Sequence, residues 1–346
     1  MNGWQRRDWL KAGLGLGAAG MLPRVAFAAD TLVAATFPGT WNDAQSKILV
    51  PWFKNATKAD VTLTIQLATD QVAKLAAAGG KPPFDVSIMD EGPLLDALKQ
   101  DLLVKYPVDK SANFKLLSPM FQNEWGPSIS IQVIGIGYNP KKIKTPPKSW
   151  NDLWNPAYKG RVGLTALNST LGMAFMAETA RLRGGSEANL EPAFKALKEL
   201  LPNVGAISAN LGAHATLFQQ EQIDIAPYNF NFVEGLKAKG VDIEFVVPDT
   251  GPVAWRTSLH IVKGAAKPEL AFQWIEGAIT PEVQTEASKP PFDVIPTNTK
   301  VAFTPVMSAK IAKSPADLSK LIFLDWKKLN EGRGAAIDRF NREIKV

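Results

Sequence analysis

Two long apolar stretches, residues 129–138 and 253–262, constrain the fold of this chain more than any other feature. Each is long enough for a strand of about 30 Å. Neither is followed closely by an amphipathic helix of its own. Between them lies a section that alternates strand-like and helix-like segments by itself, and a similar alternation precedes the first stretch. A chain built this way leaves one folding unit along the first stretch and returns along the second. A length of 346 residues is also more than one ordinary core holds and suits two. The expectation is an α/β protein of two lobes joined by two crossover strands around a cleft.

The local signals agree with that plan. Residues 31–36 form a short apolar strand, and the Phe37-Pro38-Gly39-Thr40 turn leads into a helix with Thr40 or Asn42 as its cap. Residues 61–67 alternate as a strand, and Asp70 is placed to cap a helix that stops at Gly79-Gly80. Residues 84–89 read as a buried strand running into Asp90-Glu91-Gly92-Pro93 and another helix. After the first long stretch comes a lysine- and proline-rich linker, 141–148, and Ser149 caps a short helix containing Trp150 and Trp154. The middle section adds a helix over 170–183, a strand over 223–226, a helix near 232–238 and a strand over 243–247. Pro268 opens the helix after the second long stretch, a position where proline is well tolerated.

The N-terminus reads as an address. Arg6, Arg7 and Lys11 precede a short, glycine-rich apolar stretch that ends at Ala26-Phe27-Ala28, a small-x-small cleavage pattern. The arginine pair followed by Trp9 and Leu10 resembles a twin-arginine export signal, so residues 1–28 are expected to be removed. That segment holds four basic residues and one acidic residue, a net +3, which leaves +3 of the total +6 for the remainder. So mild a balance, without a basic run, excludes a nucleic-acid binder. The absence of cysteine excludes disulfides, thiol catalysis and a lipidated N-terminal cysteine.

Ligands of open α/β sheets sit beyond the carboxyl ends of the strands. That rule selects Phe37, Thr40 and Trp41 after the first strand and Asp90 and Glu91 after the third. It selects Asn168, Ser169 and Thr170 at a helix start whose free N–H groups suit an anion. It adds Tyr228, Asn229 and Asn231 after the strand at 223–226, and Trp255, Arg256 and Thr257 on the returning crossover. Regular alternation places Arg256 on the face opposite Trp255.

A family resemblance rests on an ordered series of segments. IGIGYNPKKI (134–143), SWNDLWNPAYKGRVGL (149–164), IDIAPYNFNFVEGLKAKGVDIEFVVP (223–248) and WRTSLHIVKGAAKPELAFQWIEGAITPEVQ (255–284) resemble family 1 extracellular solute-binding proteins of ABC importers, in their spermidine/putrescine-binding branch. The resemblance implies a type II periplasmic-binding-protein fold, with residues 29–134 and about 256–302 in the first lobe and 135–255 in the second. The C-terminal helices, 303–346, are expected to pack on the second lobe. It implies a monomeric periplasmic receptor, without cofactor, that delivers a small solute to a membrane permease and its ATPase subunit. This chain has no GxxxxGK[ST] loop of its own. The branch's polyamine clamp is incomplete here. Tyr228 stands for a tryptophan, Thr257 for an acid, and neutral Asn168 to Thr170 for an acidic pair. Only Asp90 and Glu91 remain to meet a buried ammonium, so a neutral or anionic solute is expected to fit as well.

Two other readings are weaker. A ferric receptor of the same fold would want adjacent tyrosines, yet Tyr106, Tyr138, Tyr158 and Tyr228 are dispersed, and His214 and His260 lack metal-ligand spacing. An exported enzyme would want a nucleophile elbow or a zinc motif, and neither G-x-S-x-G nor H-E-x-x-H occurs.

Overall fold

The two long strands lie side by side, and the remaining strands are arranged around them. The computed structural model describes residues 30–346; the expected export signal lies outside the described residues. Ten strands follow in chain order: β1 (Thr31–Thr36), β2 (Asp60–Ile65), β3 (Val86–Asp90), β4 (Ser128–Tyr138), β5 (Val162–Thr165), β6 (Val204–Ser208), β7 (Ile225–Asn229), β8 (Glu244–Val246), β9 (Val253–Ile261) and β10 (Ile322–Phe323). Their order is β2-β1-β3-β9-β4-β7-β5-β6, with β10 added to β9 and β8 to β4. β1 pairs in parallel with β2 and β3, and β5 with β6 and β7. β9 runs antiparallel to β3 and β4, and β4 antiparallel to β7. Two parallel α/β units therefore share an antiparallel pair at their centre.

β4 passes from one unit to the other. Its residues 128–134 pair with β9, and residues 134–138 pair with β7, while 136–138 also meet β8. In β9, Val253 and Ala254 pair with β10 on one side and with Ile134 and Val133 of β4 on the other, and residues 257–261 pair with β3. All eleven residues of β4 are buried, and in β9 only Arg256 is partly exposed. A strand covered on both faces needs no polar alternation, which is why both show as unbroken apolar runs in the sequence. Together with the helices flanking the parallel strands, this is the expected two-lobed α/β architecture.

Local signals survive to different degrees. Ser149 is the expected cap and also closes a capping box: Asn151 N donates to Ser149 Oγ, and Ser149 N donates to Asp152 Oδ2 at 3.0 Å. The turn it caps, Trp150–Trp154, is a 3-10 helix. Pro268 does begin a helix, Pro268–Ala278. Asp70 does not cap; it lies inside the first turn of Ala68–Ala77. Neither Thr40 nor Asn42 caps, because the helix starts at Thr40 directly after Gly39, whose φ of 78° favours glycine. Tyr228 and Asn229 lie within β7, and Asn231 within the helix Phe230–Ala238. The helices Glu191–Leu200 and Leu211–Gln219 and strand β6 were not anticipated from the sequence, although the first carries a clear apolar stripe of Ala193, Phe194, Leu197 and Leu200 at helical spacing.

Buried polar hubs tie the first unit together. Glu276 accepts from Tyr106 Oη at 2.8 Å, Ser111 Oγ at 2.5 Å, Asn113 N at 3.0 Å and Asn113 Nδ2 at 2.7 Å. The C-terminal helix, Trp326–Glu343, was expected on the second lobe but touches both units. Asn330 Nδ2 donates to Gly92 O at 2.6 Å, on the helix Glu91–Lys99. Further along, Arg339 meets Glu191 at 2.6 Å and lies 4.1 Å from the Phe194 ring centre, and Lys198 meets Glu343 at 2.8 Å. Eighteen helical residues span about 27 Å, enough to reach across.

The crossover tolerates no side chain at Gly135. A Cβ there would lie 2.3 Å from Val246 O and 2.7 Å from the Phe245 ring. Gly135→Ala is expected to lower unfolding free energy by about 2–4 kcal/mol, measured by urea denaturation. A loss within measurement error would show that β8 can move away from β4.

Candidate functional site

The carboxyl ends of β1, β3 and β5 converge on the middle of the β4–β9 pair. β1 delivers Phe37 and Pro38, and the helix after it delivers Trp41. β3 ends at Asp90. β5 leads to Asn168, Ser169 and Thr170 at the start of the helix Thr170–Leu182. Gln132 of β4 and Trp255 of β9 are register partners, so both side chains emerge on one face. These residues, with Leu67, Ala68 and Leu211, line one narrow cleft.

Asp90 dominates its electrostatics. The residue is only 7% exposed, and Thr257 Oγ1 donates to Oδ1 at 2.7 Å. Burial pushes its carboxyl up to about 6, against the opposing pull of the Thr170, Thr257 and Trp255 donors and the charge of Arg333. The indole N–H of Trp255 favours the carboxylate but completes no hydrogen bond among the described residues. Beside Asp90, no side chain caps the helix Thr170–Leu182 at Ser169. Its first N–H groups therefore face the cleft without a side-chain acceptor.

Other candidates lie elsewhere. Glu91 and Arg256 form an ion pair with each other, and Arg256 N also donates to Glu91 Oε2 at 3.2 Å. The guanidinium lies 5.2 Å from the centre of the Phe323 ring. Strand alternation puts Arg256 on the face away from Trp255, and Glu91 follows it into a separate surface groove. Tyr228 is fully buried in the second unit, donating to Leu211 O at 2.9 Å among the rings of His214, Phe218 and Phe232. Thr40 faces the helix Phe230–Ala238 near Gly235, and Asn231 is buried within that helix. Asn229 and Thr257 stand one layer back: Asn229 Nδ2 donates to Gln132 Oε1 at 2.8 Å, as Thr257 does to Asp90.

Gln132 was missed by the sequence reading. Its signal was available, as a polar side chain in the middle of an apolar crossover strand. The histidines sit in separate interiors, His214 against Ser208 Oγ and His260 against Trp125 O, each at 2.9 Å. Burial holds them down at about 3 and about 4. Among the described residues, no three His, Asp or Glu side chains converge to hold a metal.

Residues 81–331 match the family of bacterial extracellular solute-binding proteins. The chain belongs to that family. Among its relatives is the spermidine/putrescine-binding periplasmic protein of Escherichia coli K12, 27% identical over 205 residues. The match covers 55% of this chain and 57% of the relative, so it spans little more than half of that protein's length. A gamma-aminobutyric acid-binding protein of Pseudomonas aeruginosa is 23% identical over 84% of each chain. The periplasmic binding protein AfuA of Actinobacillus pleuropneumoniae, solved with exogenous fructose-6-phosphate bound, superposes with a TM-score of 0.75. That match has 22% identity and covers 92% of this chain and 99% of the other. The solute-binding family and fold read from the sequence are thus the ones found.

A carboxyl whose folded value is raised opposes folding while ionised. The penalty is complete above about pH 6 and vanishes below the unfolded value of 3.8. Asp90→Asn is therefore expected to stabilise the unliganded protein at pH 7.5 by on the order of 2 kcal/mol, with the gain disappearing near pH 4. Thermal melts across this range test it; equal melting temperatures at pH 7.5 would contradict it.

Proposed function

We propose that this chain is the periplasmic solute receptor of an ABC importer, and that its solute is a small amino acid carrying one ammonium group and one carboxylate. The observation that carries this reading is the buried Asp90 carboxylate between aromatic walls. Asp90 has hydrogen-bond donors but forms no ion pair among the described residues, and an ammonium is the natural complement of a buried anion in that state. Trp41, Trp255 and Phe37 supply faces that attract a cation further. The uncapped helix start at Ser169 and Thr170, on the other lobe of the same cleft, suits a carboxylate.

One carboxylate serves one ammonium well and a polyamine's several poorly. Solutes named for two relatives, spermidine or putrescine and gamma-aminobutyric acid, all carry amines. The fold alone does not select them, since the Actinobacillus protein of the same fold is solved with a sugar phosphate. The neutral or anionic solute expected from the sequence thus gives way to a zwitterion, because Asp90 faces the cleft and Glu91 does not.

In this reading residues 29–134 with about 256–302, and 135–255, are lobes that close about β4 and β9. A solute favours closure only through contacts with both, here Asp90 on one side and Ser169 and Thr170 on the other. The twin-arginine signal would export the folded monomer, which then docks on a permease with its ATPase and releases the solute unchanged.

Titration calorimetry with gamma-aminobutyric acid, putrescine and butyrate at pH 7.5 tests the ligand class. Gamma-aminobutyric acid is expected to bind tightest, and Asp90→Asn to weaken it by about 100-fold. Affinity should be constant above about pH 7 and fall by up to about tenfold per unit below about pH 6, as Asp90 takes up a proton. Butyrate binding as tightly as the amino acid would refute the role of Asp90.

A further inference from the structure

A second crevice shares Trp41 with the cleft. Its walls are apolar, formed chiefly by Ile48, Leu49, Ile129, Val283 and Val294. None of the side chains lining it is charged. Two glutamines line it, and they differ sharply. Gln284 is fully engaged: its Nε2 donates to Ile129 O at 3.1 Å, Ala278 O at 3.3 Å and Thr297 Oγ1 at 3.0 Å. Its Oε1 accepts from Thr297 N at 2.8 Å and Asn298 N at 2.9 Å. Gln45 is only 4% exposed, yet neither its Nε2 nor its Oε1 has a partner among the described residues.

Buried amides are normally hydrogen-bonded, and a leucine or methionine would fill the same space without that demand. Gln45 also opens the π-helical turn Gln45–Leu49, between the helices Thr40–Ala44 and Val50–Thr57. Such turns recur at functional sites, because the widened backbone re-aims a side chain. The free amide offers an acceptor and a donor side by side. Its complement is a group with the same pair reversed, such as a primary amide. A charged end group would meet no countercharge here.

We infer that this crevice is a second binding subsite, for an uncharged aliphatic molecule or group ending in a primary amide, read by the free amide of Gln45. The subsite goes beyond the amino acid reading and does not depend on Asp90.

Butanamide is the probe, with butyrate and butylammonium as charged isosteres, followed by saturation-transfer NMR on the full chain. Butanamide is expected to bind saturably in roughly the millimolar range, with both charged isosteres about tenfold weaker or worse. Gln45→Leu is expected to weaken butanamide by about tenfold while leaving the melting temperature unchanged or raised, since it removes an unpaired buried amide. Ala287→Phe, at the half-buried rim, is expected to block the probe by filling the crevice. Unsaturable binding, or equal butanamide affinity in Gln45→Leu, would overturn the subsite. Asp90→Asn should leave butanamide affinity unchanged. If it abolishes butanamide binding, the probe occupies the main cleft; the second subsite is then wrong, and the reading of Asp90 stands.

Discussion

The antiparallel pairing of β4 with β9 is the contact on which both units depend. β4 runs from its pairing with β9 to its pairing with β7, and β9 from its pairing with β4 and β10 to its pairing with β3. Their residues are almost wholly buried, so the pair is both the core of the molecule and its bridge. Backbone groups buried in this way must be paired, and a slip of one residue would turn every side chain to the opposite face. The register that brings Gln132 beside Trp255 in the cleft is the same register that turns Arg256 away from it. Position in the site and stability of the bridge are therefore set by one set of hydrogen bonds.

The cleft placed on this bridge concentrates uncompensated polarity. Asp90 is desolvated, Trp255 Nε1 is unpaired, and one oxygen of Asn229 behind Gln132 is unpaired too. Glu276 and Gln284, in the same molecule, are fully hydrogen-bonded, whereas the core indoles of Trp150 and Trp274 have no partner among the described residues. Groups that lack a partner in the folded chain lower its stability, and a solute that supplies the partner recovers that loss on binding.

The C-terminal helix adds a second connection between the units. Its contacts with Glu191 and Lys198 are solvent-exposed ion pairs, which water screens strongly. They orient the helix without locking the units, whereas Arg333 on the same helix is buried beside Gly92 and feels the charges of Asp96 and Asp90. The helix thereby brings one buried positive charge near the cleft.

The pattern of residues was enough to indicate the α/β class, the two crossover strands, the Ser149 cap, the strand ends beyond which Phe37, Trp41, Asp90, Asn168, Ser169 and Thr170 follow, and Trp255 on the returning crossover. These are short-range properties, set by hydrophobic period, turn chemistry and the rule that clefts open at strand carboxyl ends. What the chain pattern left undecided was which of the neighbouring polar residues face the cleft. Glu91 is withdrawn by Arg256, 165 positions away, and Tyr228 is absorbed by a cluster of rings. Gln132 and Gln45 gain their meaning only from what lies, or does not lie, opposite their amides. Such pairings are long-range, so they depend on strand register and on packing of units far apart in sequence, and only the tertiary structure decides them.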